Sequence, residues 1–401
     1  MGSIKDSAMK ILVFTTQIHL LGGAEKLAVE LVEGLNLHPG VQADLLVLGS
    51  EDVAGSADTK KRLLNKGVRS MLFLGRPHGT RGQAIFRYIL KLRHILKFNN
   101  YDVVETSMLG PTVLTCWARL GLRTKLVSGI HEIYRRVYQK SWSYKFLRFS
   151  VKINRKVQFY AISEQAKQNW IDYAQIEPGR VRVIYNSIGA DHFESIREEL
   201  EIKGIPDIGK NDLKALFVGR LCKRKGLDTL INALGPILNE KKIHLFIVGW
   251  ESIGPDIFFP DDKDILERIL KQIANNAWDE RIHFLGIRDD VPKIMNFVDV
   301  MVHPARDEGF GLVLAEALAA GLPIVATSVG GIPEVLANTD SVLVQPDDPV
   351  ALRNAFLQIL HRTSEEAALC RNKAQQRAEF FRPERRIADL LAMFRDLSTH
   401  R

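Results

Sequence analysis

The chain has 401 residues, 46% hydrophobic and 25% charged. That is long for one hydrophobic core, suits two domains, and lacks the bias of a disordered or fibrous chain. Its three cysteines, Cys116, Cys222 and Cys370, form neither a disulfide framework nor a metal-ligand spacing and read as reduced thiols. The net charge of +8 is uneven: residues 1–190 hold 28 Lys and Arg against 14 Asp and Glu, and the remainder hold 27 against 33. The first half is therefore the one suited to an anionic surface or substrate.

Lys10-Ile11-Leu12-Val13-Phe14 is too short for a secretory h-region and reads as a first strand. Asp6 stands where a myristoylation signal needs Ser or Thr. The longest apolar stretch, Leu312 to Ile332, is interrupted by Glu316, Gly321 and Pro323, which argues against a membrane span. These signals together imply a cytoplasmic protein.

Strands are expected at Lys10–Thr15, Ala43–Leu48, Val103–Thr106, Lys125–Ser128 and Gln158–Ile162. Between the first two, Ala24–Leu37 has helical spacing, with Leu27, Leu31, Val32 and Leu35 on one face. Ser195–Lys210, rich in Glu and Lys and containing Ile205-Pro206-Asp207, reads as a linker. The alternation then restarts at Ala215–Gly219 and continues through His244–Val248, Ile282–Phe284, Val300–His303, Ile324–Ala326 and Ser341–Val344. Short apolar runs alternating with amphipathic stretches predict βαβ units. The expected fold class is α/β: two Rossmann-like doubly wound domains, 1–195 and 196–381, with a ligand in the cleft between them, outside the carboxyl ends of the strands.

Three segments carry the chemistry. In Leu20-Leu21-Gly22-Gly23-Ala24-Glu25 two glycines before a helix allow close approach to a sugar or phosphate, although a tight turn explains them equally well. In Val218-Gly219-Arg220-Leu221-Cys222-Lys223-Arg224-Lys225-Gly226, Arg220 can fork onto a diphosphate and Lys225 can add a point charge. These cations repel one another unless an anion lies close. The third segment holds Glu308 and Glu316, separated by Gly309-Phe310-Gly311-Leu312-Val313-Leu314-Ala315. The stretch after Gly311 reads as a helix largely buried by small and apolar residues, so the Glu316 carboxylate needs a hydrogen-bond partner or a ligand. Glu308 precedes the helix start, where backbone N–H groups of Phe310, Gly311 and Leu312 suit phosphate oxygens. The pair spans roughly 12 Å along a helix axis, a length matching the sugar and ribose ends of a nucleotide-sugar.

Taken in order, with Gly330-Gly331-Ile332-Pro333-Glu334 following, these residues resemble the retaining GT-B glycosyltransferases of family 4, the EX7E glycosyltransferases, over essentially the whole chain. The resemblance implies a hexosyltransferase that moves a sugar from a nucleotide-diphosphate donor, UDP-sugar favoured over GDP-mannose, to a hydroxyl of a glycan or lipid-linked glycan acceptor. Glu308 would contact the donor sugar and Glu316 the ribose. Arg220 and Lys225 would hold the diphosphate, and Gly22 and Gly23 would face the transferred sugar. Phe284-Leu285-Gly286-Ile287-Arg288 would receive the nucleobase, and Gly309, Phe310, Gly311 and Leu312 would line the donor site. His131, after the strand Lys125–Ser128, matches a family histidine near the acceptor hydroxyl; a loop histidine paired with Glu132 is the alternative. No cofactor and no metal are expected, because cations and a helix end take the metal's place. Helix 382–401 is expected to return to the first domain. Other readings are a GT-B enzyme acting on a soluble small acceptor, and a sugar-nucleotide-binding protein without turnover.

Asp262-Lys263-Asp264 matches the DxD metal pattern literally but sits before an amphipathic stretch, where acidic residues cap a helix. Trp250 to Pro260 departs from the family as an apolar insertion, a lid or a packed surface. Asn186-Ser187-Ile188 replaces a common Asn-Gly turn. Residues 134–156 hold eight basic and no acidic side chains, interleaved with aromatics, and 76–97 add Arg81, Arg87, Lys91 and Arg93. Such segments suit peripheral contact with an anionic membrane, or equally a packed helix with a solvated basic face; no nucleic-acid motif accompanies the charge.

Overall fold

The computed structural model describes residues 8–16, 23–49, 60–61, 63–64, 68, 70–75, 80–107, 109–131, 142–193, 202, 204–206, 208–209, 211–250 and 264–399. Gly22, Arg76, residues 134–140, the insertion beyond Trp250, Asp262, Lys263 and most of the linker lie outside the described residues. Two compact units form, one from Met1–Ser187 with Pro383–Arg401, the other from Ile188–Arg382.

The first unit holds a seven-stranded parallel sheet in the order β3-β2-β1-β4-β5-β6-β7. Its strands are β1 Met9–Thr15, β2 Val41–Val47, β3 Met71–Phe73, β4 Val103–Thr106, β5 Lys125–Ile130, β6 Gln158–Ala161 and β7 Val181–Val183. The second unit holds a six-stranded parallel sheet, β10-β9-β8-β11-β12-β13. Its strands are β8 Leu213–Val218, β9 Ile243–Val248, β10 Ile282–Gly286, β11 Val300–His303, β12 Ile324–Thr327 and β13 Val342–Val344. Helices cover parallel sheets on both faces, so central strands run apolar without alternation. Ile11, Leu12, Val13 and Phe14 are all fully enclosed, and every residue of β9 is buried. At about 1.5–3 kcal/mol per enclosed large apolar side chain, such strands set the register.

β3 and β7 are the two strands the apolar pattern did not reveal. Each has three residues and lies at a sheet edge, too short to show a period. The Pro383–Thr399 helix belongs to the first unit and packs against the Gly23–Asn36 helix. It contributes Ile387, Leu390, Leu391, Met393 and Phe394 to that unit's core. The three cysteines are buried and free. Among the described residues no helix is long and apolar enough to cross a membrane.

Candidate active site

In the second unit the strand order reverses between β8 and β11, and ligands of doubly wound sheets bind outside the carboxyl ends at such a point. Two loops leave there: 219–226 after β8, and 304–311 after β11. Arg306 clamps them together. Its guanidinium donates to Asp228 Oδ1 and Oδ2 at 2.7 and 2.8 Å, to Asp347 Oδ1 at 2.6 Å, and to the Lys223 carbonyl. Its backbone N–H donates to the Arg224 carbonyl at 2.9 Å. The approach requires glycine at 226: φ is +72°, and a Cβ there would lie 1.9 Å from the Pro304 carbonyl oxygen.

The clamp sets Lys225 against Glu308. Lys225 Nζ donates to Glu308 Oε2, and His303 Nε2 lies 3.2 Å from the same oxygen. The Lys225 and Glu308 side chains are 13% and 14% exposed, and His303 is fully enclosed. Burial pushes the Glu308 carboxyl up, but the Lys225 charge and the His303 hydrogen bond outweigh it and hold the group well below the usual carboxylate range. An ionised carboxylate only accepts, so His303 carries its proton on Nε2. Its Nδ1 is then a buried acceptor without a hydrogen-bond partner among the described residues. Burial, opposed by the Glu308 hydrogen bond, lowers the His303 pKa and keeps the ring neutral.

Asp307 lies 3.7 Å from Arg224, so the two acidic residues of the β11 loop offset two of the four cations on the β8 loop. Arg220 has no side-chain hydrogen bond or ion pair among the described residues and is half-buried just past β8. The helix Leu312–Ala319 begins at Gly311, whose φ of +92° turns the chain into it without a side-chain cap. The Leu314 N–H donates to the Gly311 carbonyl at 2.9 Å, which leaves the N–H groups of Leu312 and Val313 without a partner inside the helix. Phe310 is an anchor: it is buried and meets Phe381 edge to face at 5.5 Å.

Glu316 differs from the enclosed carboxylate read from its neighbours. Leu314, Ala315, Ala317 and Leu318 are buried, but Leu312, Val313 and Glu316 form a half-exposed face. Glu316 Oε1 lies 3.7 Å from His192 Nε2. Helical spacing explains this, because 312 and 316 share a side one turn apart. Arg288 is bidentate on Asp290, at 2.8 and 2.6 Å. Gly309 and Gly23 are half-buried, Gly23 opening the Gly23–Asn36 helix.

His131 directly follows β5 in the first unit. Its Nε2 lies 3.3 Å from the Tyr160 hydroxyl, and the rings meet edge to face. Tyr160 and Ser107 both donate to Glu105 Oε1 at 2.7 Å. Since Tyr160 spends its proton on Glu105, His131 Nε2–H is the donor in the next link. Burial raises the Glu105 pKa against the lowering effect of its hydrogen bonds and of Arg386. Burial, then the Arg386 charge, lowers that of His131 to about 3. Arg386 is 2% exposed and reaches this region from the Pro383–Thr399 helix.

His303, Arg306, His192, Glu105, Tyr160 and Arg386 escaped the sequence reading. A signal existed for two of them: His303 ends a buried strand five residues before Glu308, and Glu105 puts a carboxylate inside a wholly buried one. Arg386 and His192 gave none, since their neighbours are brought by the fold.

This architecture, with loops at the reversal point of the second sheet, is that of a GT-B glycosyltransferase. Two family models match in tandem, Glycosyltransferase Family 4 over residues 21–192 and Glycosyl transferases group 1 over 212–362. The chain belongs to the family 4 glycosyltransferases. It is 31% identical over 198 residues to an uncharacterised glycosyltransferase of Methanocaldococcus jannaschii, MJ1607, an alignment spanning 48% of each chain and so about half of that relative. It is 24% identical over 317 residues to the N-acetyl-alpha-D-glucosaminyl L-malate synthase of Bacillus anthracis, covering 77% of this chain and 78% of the relative. Anabaena HepE in complex with UDP superposes with a TM-score of 0.75 at 21% identity, covering 96% of this chain and all of HepE.

Proposed function

We propose that the protein is a retaining, metal-independent glycosyltransferase moving a hexose from a nucleotide-diphosphate sugar to a hydroxyl of a glycan or lipid-linked glycan. UDP-sugar is the preferred donor class over GDP-mannose, supported by the HepE complexes with UDP and UDP-glucose. The observation that carries the reading is the Lys225–Glu308–His303 cluster beside an uncapped helix start and the unpartnered Arg220. A cation without a partner among the described residues suits a diphosphate, and an ionised glutamate suits sugar hydroxyls.

In this reading Arg220, Lys225 and the N–H groups at Gly311 and Leu312 hold the diphosphate, Gly309 and Phe310 shape the loop, and Glu316 with His192 receives the ribose. Arg288 contributes to the nucleobase site through a side chain already fixed by Asp290. Gly22 and Gly23 border the transferred sugar. The sugar–phosphate C–O bond breaks as the bond to the acceptor oxygen forms on the same face, and Arg220 and Lys225 offset the charge on the departing phosphate. The acceptor proton passes to that phosphate. His131, whose protonation burial and Arg386 oppose, positions the hydroxyl instead of retaining the proton. The basic segments 76–97 and 134–156 place the enzyme on an anionic membrane surface.

Thermal-shift screening against UDP, GDP and ADP sugars, followed by a product assay with and without a lipid-linked acceptor, tests the reading. Stabilisation by a UDP-sugar and a product with the same anomeric configuration as the donor are expected. Donor binding without consumption would reduce the protein to a nucleotide-sugar binder.

A further inference from the structure

The helix Trp142–Ile153 and the segment that follows contain no acidic residue. Lys145, Arg148 and Lys152 stand three and four residues apart on one stripe, a spacing at which like charges repel by a few tenths of a kcal/mol per pair. They line a cavity of about 430 Å³ with Arg155, Arg180 and the Trp170 ring. Glu177 is the one carboxylate on its wall among the described residues. Arg180 is committed to the Val157 carbonyl at 2.9 Å and lies over the Phe159 ring at 5.5 Å, and Arg148 donates to Gln175. The side chains of Lys145, Lys152 and Arg155 make no hydrogen bond or ion pair among the described residues. Five cations against one carboxylate make this wall suit an anion in the cavity.

The position excludes the acceptor hydroxyl as occupant. Arg155 stands three residues before β6 and Arg180 immediately before β7, at the amino ends of the strands. His131 follows β5 at the opposite, carboxyl end. Beside the basic stripe the same helix carries an apolar one, Phe146, Phe149 and Ile153, exposed by 37, 53 and 47%. Phe146 and Phe149 lie against Trp117 at centroid distances of 5.8 and 6.2 Å. The helix Leu109–Ala118, which bears Trp117, packs between this helix and Arg81–Asn99, where Phe86, Leu90 and Phe98 are exposed among further cations. Aromatic and aliphatic side chains flanking lysines are the composition of a membrane-interface surface.

We propose that this cavity is an accessory binding site for the phosphate headgroup of an anionic membrane phospholipid, with Phe149 and Ile153 entering the acyl boundary beside it. The headgroup phosphate meets Lys145, Lys152 and Arg155, and the bound lipid is an anchor, not a substrate. The assignment rests on the membrane-contact part of the proposed function and gives it a specific site.

Sedimentation with vesicles of phosphatidylcholine alone, or with 30% phosphatidylglycerol, tests it at fixed ionic strength in the intact chain. Partitioning should require phosphatidylglycerol. It should fall about 30-fold in K152Q/R155Q, at about fivefold per lost cation, and several-fold in F149S. The charge-matched control K26Q/K293Q, at exposed lysines outside the cavity and outside both basic segments, should bind nearly as well as wild type. Turnover of a nucleotide-sugar with a water-soluble acceptor should be unchanged in K152Q/R155Q. Equal loss in both double variants would mean diffuse attraction and overturn the site while leaving membrane contact standing. Equal binding to neutral vesicles would overturn both. Stabilisation by inorganic phosphate without vesicle binding would reassign the cavity to a soluble anion and overturn the lipid assignment.

Discussion

Glu308 in the second unit and Glu105 in the first both stand near the carboxyl end of a central strand, largely shielded from water, yet they sit on opposite sides of the carboxylate range. Glu308 has Lys225 in contact and His303 donating to the same oxygen, and its pKa is held down. Glu105 has two neutral hydroxyls, and Arg386 acts on it only through space, so burial dominates and its pKa rises. Burial alone does not decide a carboxylate's charge; a cation in contact does. The first arrangement suits a permanent anion facing a polar ligand, the second a hydrogen-bonded chain that fixes a neutral His131.

The largest expected effect comes from removing the charge on one side of this comparison. Glu308→Gln should lower kcat by a factor of about 10²–10³, while UDP binding measured by calorimetry stays within a few-fold of wild type; wild-type turnover would remove Glu308 from the mechanism. Lys225→Met should strand the Glu308 charge and cost about 3 kcal/mol of stability in urea unfolding, with a matching loss of donor affinity. If stability is unchanged, the pair is not what holds Glu308 ionised.

The two glutamates should also respond to pH with opposite sign. The depressed pKa of Glu308 gives stability that is complete above its unfolded value of about 4.3 and lost as pH falls through the folded value. Glu105, with its raised pKa, contributes stability present below about 4.3 and lost as pH rises through its folded value. Glu105→Gln should therefore gain on wild type as pH rises from about 4.3 toward that folded value, by at most about 1.4 kcal/mol per pH unit, and the gain should level off above it. A pH-independent difference in denaturant midpoints would mean that Glu105 is not raised.

Tyr160→Phe removes the link between Glu105 and His131. It should cost roughly 1–3 kcal/mol as a lost buried hydrogen bond and lower kcat about tenfold, with little change in donor KM. An increase in donor KM alone would detach the chain from the acceptor side. The smallest effect should come from Arg288→Ala, because Asp290 already occupies that guanidinium: donor KM should rise only about two- to fivefold, near one surface-pair equivalent of roughly 1 kcal/mol. A loss above 50-fold would show that the base site depends on it.

Legibility followed the range of the interaction. Buried parallel strands announce themselves in runs such as Ile11 to Phe14, and the basic loop and the Glu308–Glu316 spacing are contiguous in sequence. Edge strands of three residues carried too little pattern. Glu316 was read from its neighbours' apolarity, but helical geometry turned it to the half-exposed face with Leu312 and Val313, opposite His192.

The sequence by itself determined the α/β class, the order of strands along the chain, the candidate donor loops and the basic, aromatic-rich helix, because each depends on residues within a few positions of one another. Only the tertiary structure decided that Lys225 meets Glu308, that Arg306 holds the loops at that distance, and that Arg386, from a helix near the chain's end, biases His131 and Glu105. Those contacts join residues tens to hundreds of positions apart, and their charge states follow from burial and partner distance, which no local pattern encodes.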